Sequence, residues 1–211
     1  MFTNRYLRAF AGEAAAFNFF STALTTVFLL YATRDLGMGP GVLGAVIASS
    51  SVGGLIGSLL AERAGRRLGL GPAIVAAMLL GTWPYLLVPL ASGSGPASLA
   101  VLGAAFLSAG CGIGVSSVHV ISLRQTITPD RLMGRMNASY RFVVWGTIAA
   151  GALLGGALGS AVGLRGAVLI AAVGIAAAPT WIILSPIRSL RTAGQAATAA
   201  QPDEPLATGR A

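Results

Sequence analysis

Charged side chains are scarce in this sequence. Only 9% of its 211 residues are Asp, Glu, Lys or Arg, whereas a soluble domain carries about a quarter. So few charges cannot cover a surface that faces water, which excludes a soluble globular fold. Disorder is excluded as well, because disordered chains are rich in charge, and 55% of this chain is hydrophobic. We therefore expect the chain to be surrounded mainly by lipid.

Lysine is absent, and cysteine and histidine occur once each, as Cys111 and His119. One cysteine allows no intrachain disulfide, and the sequence has no cluster of metal ligands. It also has no P-loop and no pair of acids within an apolar run. We therefore expect no enzymatic activity, no metal and no cofactor. The basic residues form short clusters between apolar runs, with no contiguous basic face, so no nucleic-acid partner is expected.

Six apolar segments are long enough to span a membrane, since about 20 helical residues cross a hydrocarbon core of about 30 Å. Spans one to six are predicted near 10–31, 41–61, 72–91, 97–120, 141–162 and 166–185. Residues 1–9 are predicted to be a cytoplasmic segment, 10–188 the membrane domain and 189–211 a disordered cytoplasmic tail. Polar connections are predicted over 62–71 and 123–136, and a tight turn over 163–166.

The arginines lie on one side of this arrangement. The N-terminus, the connections after spans two and four, and the C-terminal tail hold 12 of the 14 arginines; only Arg34 and Arg165 fall on the other side. This asymmetry predicts that both termini are cytoplasmic. An even number of spans also requires the two termini to lie on the same side of the membrane. The composition favours a bacterial source and hence the bacterial inner membrane.

Polar residues are concentrated in spans one and four. Span one carries a stripe made by Asn18, Ser21, Thr22 and Thr25, and span four carries Ser108, Ser116 and His119. Spans three and six are almost wholly apolar, with prolines that should bend them. Because lipid favours apolar faces, spans one and four are predicted to line an internal substrate path and spans three and six to face lipid.

Spans two and five carry small residues four apart. These are Gly53 and Gly57 in span two, and Gly151, Gly155 and Gly159 in span five. Such spacing lets helix backbones approach closely. Two interpretations remain open: an interface with another membrane unit, or packing inside this one. The order path, interface, lipid occurs twice, which predicts a 3+3 inverted repeat typical of secondary transporters.

The segment that follows span two carries a motif. It reads Leu60-Ala61-Glu62-Arg63-Ala64-Gly65-Arg66-Arg67-Leu68-Gly69-Leu70. This resembles the cytoplasmic Gly-x-Leu-Ala-Asp-Arg-x-Gly-Arg-Arg signature of the major facilitator superfamily, with Glu62 in place of Asp and Ser58 in place of Gly. We expect the acid to pair with a neighbouring helix terminus and Gly65 to permit a tight turn.

A second motif follows span four. It reads Leu123-Arg124-Gln125-Thr126-Ile127-Thr128-Pro129-Asp130-Arg131-Leu132-Met133-Gly134-Arg135-Met136-Asn137-Ala138. This resembles the loop between the tenth and eleventh helices in a bacterial efflux branch of that superfamily, which includes macrolide and enterobactin-type siderophore exporters. Locally, Thr128-Pro129-Asp130 can also cap a short interfacial helix.

The resemblance covers residues 5 to 190 and aligns with the second half of a twelve-helix transporter. It implies an all-α transmembrane six-helix bundle, half of a major-facilitator fold, with the two motifs as cytoplasmic gating elements. It also implies that spans two and five contact a second six-helix half. That half would be a separate chain or another copy of this one.

Two ionisable residues in the spans are candidates for proton coupling, Glu13 and His119. Glu13 is also explained as an interfacial acid near Arg5 and Arg8, and His119 lies close to the cytoplasmic end. The predicted function is half of a proton-coupled transporter that exports a bulky, largely apolar small molecule by alternating access. The alternative is a truncated, non-transporting membrane remnant or scaffold.

Overall fold

The computed structural model of the chain describes residues 5–126, 128 and 130–190, with only the backbone of Asp130. The described residues contain helices and no strand. The first four helices are α1 (Arg5–Leu30), α2 (Pro40–Leu68), α3 (Leu70–Thr82) and α4 (Pro96–Thr126). A π-helical turn, Tyr31–Asp35, extends α1, and a 3-10 helix, Trp83–Leu90, extends α3. Proline lacks the backbone donor of a regular α-helix, and Pro84 and Pro89 both lie in that 3-10 segment.

The last long helical stretch, Asp130–Ala177, is interrupted at Gly163. Gly163 has φ of 76° and ψ of 167°, a backbone conformation that favours glycine. We call the two parts α5 (130–162) and α6 (164–177); a turn at Ala178 and Pro179 then leads to the short helix Thr180–Ile183. Without interruption, the 53-residue, largely apolar stretch Arg131–Ile183 would form a rod about 80 Å long, far more than one crossing needs.

Five helical stretches are long and apolar enough to cross a membrane, and the break at Gly163 divides the last into two crossings. The predicted six-helix transmembrane bundle is therefore confirmed. Several boundaries differ from the prediction. The α2 and α4 helices continue past residues 61 and 120, and α5 begins at Asp130, before 141, so the predicted polar connections are mostly helix. Leu, Met and Arg are good helix formers, and loss of apolarity marks where the membrane ends without ending the helix.

The predicted terminal segments also differ at their borders. Residues predicted to be outside the membrane domain are packed, because Tyr6, Leu7 and Leu190 are buried. The Leu190 carbonyl accepts a hydrogen bond from the Gly71 backbone N–H at 2.7 Å. The rest of the predicted disordered tail, 191–211, lies outside the described residues.

The most extensive helix contacts are those of α2 with α4 and of α1 with Asp130–Ala177, the stretch that comprises α5 and α6; the glycine contacts described below place α1 against α5. If α1, α2 and α3 are exchanged for α4, α5 and α6, the pair α2 and α4 becomes the pair α5 and α1. This is what the predicted 3+3 repeat requires.

Glycines carry the contact between α2 and α4. A Cβ atom built on Gly53 would overlap the carbonyl oxygen of Leu107, and one on Gly57 would overlap that of Cys111. Two glycines of α4 meet the α2 backbone in the same way. Backbones this close gain dispersion and Cα–H···O contacts. We call this contact the α2–α4 seam.

The equivalent contact joins α5 to α1. Gly151 meets the backbone of Phe19, and a Cβ atom on Gly155 would lie 2.6 Å from the carbonyl oxygen of Ala23. Gly159, the last of the series, has only side chains nearby, at 3.7 Å or more. We call this contact the α1–α5 seam.

The two seams place four of the five predicted interface glycines inside this unit, in contact with helices of the same chain. This differs from their expected contact with a second half and matches the other interpretation, packing within the bundle. The reason is physical: small residues four apart allow any helix to approach. Their spacing therefore cannot identify the partner.

The described arginines separate to the two ends of the bundle. Arg66, Arg67 and Arg188 border one cleft. Arg5 and Arg8 border another, beside the short helix Thr180–Ile183. At the opposite end, the Nε of Arg165 donates a hydrogen bond of 2.9 Å to the Pro89 carbonyl. The arginine-rich segments predicted to share a side therefore meet at one end.

We predict that Gly110→Ala destabilises the protein by about 1–3 kcal/mol, because the added methyl group would overlap the Ser50 carbonyl oxygen. The control is Gly156→Ala on α5, where no atom lies within 4 Å of the added carbon. It should leave stability unchanged or slightly improved. Tryptophan fluorescence during thermal unfolding in detergent measures both. Equal transition temperatures for the two variants would contradict the α2–α4 seam.

Candidate functional site

A cavity of about 300 Å³ lies between α1, α3, α4 and α5. Since α1 and α3 belong to the first repeat and α4 and α5 to the second, the cavity lies between the repeats. Its walls are largely apolar, formed by residues such as Phe17, Met78 and Ile113. Seven lining residues carry polar side chains: Glu13, Asn18, Thr82, Ser116, Ser117, Arg124 and Tyr140. We call this space the central cavity.

The predicted path residues divide between two spaces. Asn18 and Ser116 line the central cavity. Ser21 and Thr25 line a second cavity of about 290 Å³, whose walls include aromatic residues of α1 and α4. Thr22 lines neither of these two cavities.

The polar groups of span one bond to their own helix. The Asn18 Nδ2 donates to the Ala14 carbonyl at 2.7 Å, and the Thr25 hydroxyl donates to the Ser21 carbonyl at 2.7 Å. On α4 the Ser116 hydroxyl donates to a carbonyl one turn earlier. These bonds use the hydroxyl donors and one of the two Nδ2 hydrogens of Asn18, while the amide oxygen and the hydroxyl oxygens can still accept hydrogen bonds. The walls therefore offer acceptors to a ligand.

Ser108 and His119 are not among the lining residues of either cavity. Both were predicted to line the substrate path, but the face of α4 that they share with Gly112 packs on other helices. Gly112 meets the backbone of Gly81 on α3. His119 is buried and lies against Gly65 of α2. Helical spacing shows which residues share a face, and it does not show what covers that face.

Glu13 is partly buried and lines the central cavity. Of its two interpretations, this position favours a residue of the path over an interfacial acid beside Arg5 and Arg8. Within the described part of the chain, one ion pair forms, between Arg66 and Glu62. The Glu13 carboxylate therefore has no ion-pair partner within that part of the chain.

Arg124 connects the end of α4 to the start of α5. Its side chain is buried, and its Nη2 donates to the Sδ of Met136 at 3.3 Å and to the Oδ1 of Asn137 at 3.2 Å. Its guanidinium carbon lies 3.6 Å from the centre of the Tyr140 ring, a cation–π contact. Tyr140 was not predicted as a site residue. Met136 and Tyr140 are one helical turn apart and face the same way, but the sequence does not show that Arg124 of α4 lies against that face.

The other described residues of the second motif do not line the central cavity. Thr128 is buried, and its hydroxyl donates to the Arg124 carbonyl at 2.7 Å. It thus closes the end of α4, where a cap for a short interfacial helix was predicted. Pro129 lies outside the described residues, and the side chain of Asp130 is not described. The four other predicted gating residues are exposed: Gln125, Arg131, Gly134 and Arg135.

The first motif lies on α2 itself, in its last two turns. Glu62 pairs with Arg66 of the same helix, and both side chains are exposed. The predicted pairing with a neighbouring helix terminus is therefore replaced by an i,i+4 pair, which exposed helical acids and arginines commonly form. Arg63 and Arg67 are exposed as well.

Gly65 serves a different purpose from the predicted turn. The turn that ends α2 is at Gly69, which has φ of 83°. Gly65 lies inside the helix, where a Cβ atom would be 2.8 Å from the Cε1 of His119. The absence of a side chain therefore makes room for the buried imidazole. The Nε2 of His119 has no hydrogen-bond partner among the described residues.

We predict that Gly65→Ala destabilises the protein by about 1–2 kcal/mol and that adding His119→Ala removes most of this cost. The smaller residue at position 119 leaves space for the new methyl group. Thermal unfolding of the wild type, both single variants and the double variant gives the coupling energy. If Gly65 were needed for a turn, the second substitution would rescue nothing, and additive effects would contradict the contact.

The comparison with known protein families agrees with this architecture. The sequence profile of the family described as transmembrane secretion effectors, which is of the major facilitator type, matches residues 3–209. A search of curated proteins finds no match. The predicted superfamily is thus confirmed from nearly the whole chain. The chain belongs to the transmembrane secretion effector family of major-facilitator membrane transporters.

Proposed function

We propose that this chain is one half of an efflux transporter that moves a bulky, largely apolar small molecule by alternating access. The observation that carries the proposal is the central cavity, which lies between the two repeats, where transporters of this architecture bind their substrates. Its apolar walls bury an apolar body, and Asn18 and Ser116 offer hydrogen-bond acceptors.

The size of the cavity supports a shared site. At about 300 Å³ it is at the lower limit of pockets that bury a drug-sized molecule. A bulky substrate therefore needs a second wall. In the proposed arrangement a second six-helix half, either another copy or a separate chain, supplies that wall.

The outer faces of α2 and α5 are proposed to meet this second half. On α2 the large apolar residues Leu55 and Leu59 are exposed, and on α5 Phe142, Trp145 and Leu153 are exposed. Gly53, Gly57, Gly151 and Gly155 are engaged inside the unit, so these larger side chains are left to form the contact. Rocking of one bundle against the other then opens the cavity to alternate sides.

Glu13 is proposed to couple transport to the proton gradient. An ionised carboxylate within the membrane is costly, and uptake of a proton removes that cost. The guanidinium of Arg124 borders the same cavity. His119 is outside the central cavity and has no coupling role in this proposal.

We propose that both termini and the arginine-rich end face the cytoplasm of a bacterial inner membrane. Twelve of 14 arginines belong to segments on that side, and cytoplasmic loops carry such an excess. Export would then begin with binding from the cytoplasm or the inner leaflet.

The proposal predicts that cells expressing the chain accumulate less of at least one lipophilic fluorescent dye, and that Glu13→Gln abolishes this difference. We expect a loss of at least about tenfold in efflux rate, since an amide cannot carry the proton. The matched control is Asp35→Asn, an exposed acid beyond the other end of α1, which should change the rate less than twofold.

Adding a protonophore separates the outcomes of this experiment. It should stop efflux by the wild type, and Asp35→Asn should respond like the wild type. Protonophore-sensitive efflux that survives in Glu13→Gln would contradict the coupling role of Glu13. No expression-dependent efflux of any dye would contradict transport and support the non-transporting scaffold.

A further inference from the structure

We propose that the cleft between the first two turns of α1 and residues 180–186, which comprise the short helix Thr180–Ile183 and the residues after it, binds one anionic phospholipid, with Arg5 and Arg8 holding its phosphate and Trp181 beside its acyl chains. The cleft has a volume of about 700 Å³, larger than the central cavity. This inference needs only a membrane-embedded chain. It does not depend on the proposed transport function.

The charged side of the cleft is formed by two arginines one helical turn apart. Arg5 and Arg8 are both exposed, and their i,i+3 spacing places them on the same face of α1. No acidic residue lines the cleft, and neither arginine forms an ion pair within the described part of the chain. Two uncompensated guanidinium groups repel each other, and a phosphate between them can accept paired hydrogen bonds from each.

The opposite side of the cleft is apolar and aromatic. Trp181 and Leu184 line it with 51% and 85% of their surfaces exposed. The indole lies against Gly12 of α1, where a Cβ atom would be 2.7 Å from the ring. Gly12 therefore lets the ring pack on the α1 backbone and form a wall of the cleft. Tryptophan beside arginine is typical of the lipid headgroup region.

The combination of these two sides identifies the ligand class. Free phosphate or a soluble phosphate ester would engage the arginines and leave the aromatic wall unused. A phospholipid matches both, because one molecule carries the phosphate and, directly beneath it in the membrane, the acyl chains. Thr180 and Ser185 also line the cleft; their hydroxyls donate to backbone carbonyls, so their oxygens are left to accept hydrogen bonds from hydroxyl groups of a lipid headgroup.

A second arginine cleft provides the matched control. Arg66, Arg67 and Arg188 surround a space of about 540 Å³ at the same end of the bundle. No aromatic residue lines that cleft. Replacing Arg66 and Arg67 removes the same number of charges from the same end and leaves the proposed lipid site intact.

The test is native mass spectrometry of the purified full chain in a neutral detergent, titrated with phosphatidylglycerol, phosphatidylcholine or glycerol phosphate. We expect one tight phosphatidylglycerol adduct and at least tenfold weaker binding of the other two. Arg5→Gln with Arg8→Gln should weaken phosphatidylglycerol binding about thirtyfold, and Arg66→Gln with Arg67→Gln less than about twofold. Trp181→Leu should weaken the binding of phosphatidylglycerol and leave the binding of glycerol phosphate unchanged.

Three results would overturn the proposal. Equal loss in the two double variants would show a general effect of net charge. Equal binding of the two lipids would show that the net negative charge of the lipid is not recognised. Glycerol phosphate binding as tight as phosphatidylglycerol, with no effect of Trp181→Leu, would show a phosphate site without a lipid. If the variant with both Arg5→Gln and Arg8→Gln is not monodisperse, Arg8→Gln alone gives the same test. It should weaken phosphatidylglycerol binding about fivefold.

Discussion

The arrangement of this bundle depends on direct backbone contact at glycine. In lipid no hydrophobic force draws two apolar helices together, so close packing of small residues must hold them. Gly53 and Gly57 provide that contact between α2 and α4, and Gly151 and Gly155 provide it between α5 and α1. The two seams are equivalent under exchange of the three-helix repeats. Because each of α1 and α4 is held tightly by its own partner, the two helices can face each other across a cavity.

Much of this fold could be predicted from the sequence because lipid restricts the possibilities. Apolar length determined the six helices, and the distribution of arginine indicated which segments share an end of the bundle. The helix ends could not be predicted in the same way. The second motif was expected to be a long polar connection, yet α4 reaches Thr126 and α5 starts at Asp130. Hydropathy indicates which residues lie within the membrane. Helix ends depend instead on hydrogen bonds to backbone groups, such as the one that the Thr128 hydroxyl donates to the Arg124 carbonyl.

The candidate site was predicted less completely. Polarity within a span identified Asn18 and Ser116 as lining residues, and the only acid in a span, Glu13, also lines the cavity. The same argument favoured His119, which instead packs beneath Gly65. Its neighbour lies on another helix, and one helix's pattern holds no information about that. Tyr140 was missed for a related reason: its importance comes from the buried Arg124 that stacks on its ring, a contact made only after folding.

We propose that the central cavity, which the two seams leave between the repeats, admits water. Adjacent residues of α4 test it, since Ser117 lines the cavity and Val118, 43% exposed, is not among its lining residues. The measurement is the rate at which a charged, water-soluble thiol reagent modifies Ser117→Cys and Val118→Cys in membranes, with Cys111→Ala in both. The account predicts that Ser117→Cys reacts at least about tenfold faster, because thiolate chemistry needs water. Equal rates, or a faster reaction at position 118, would contradict it.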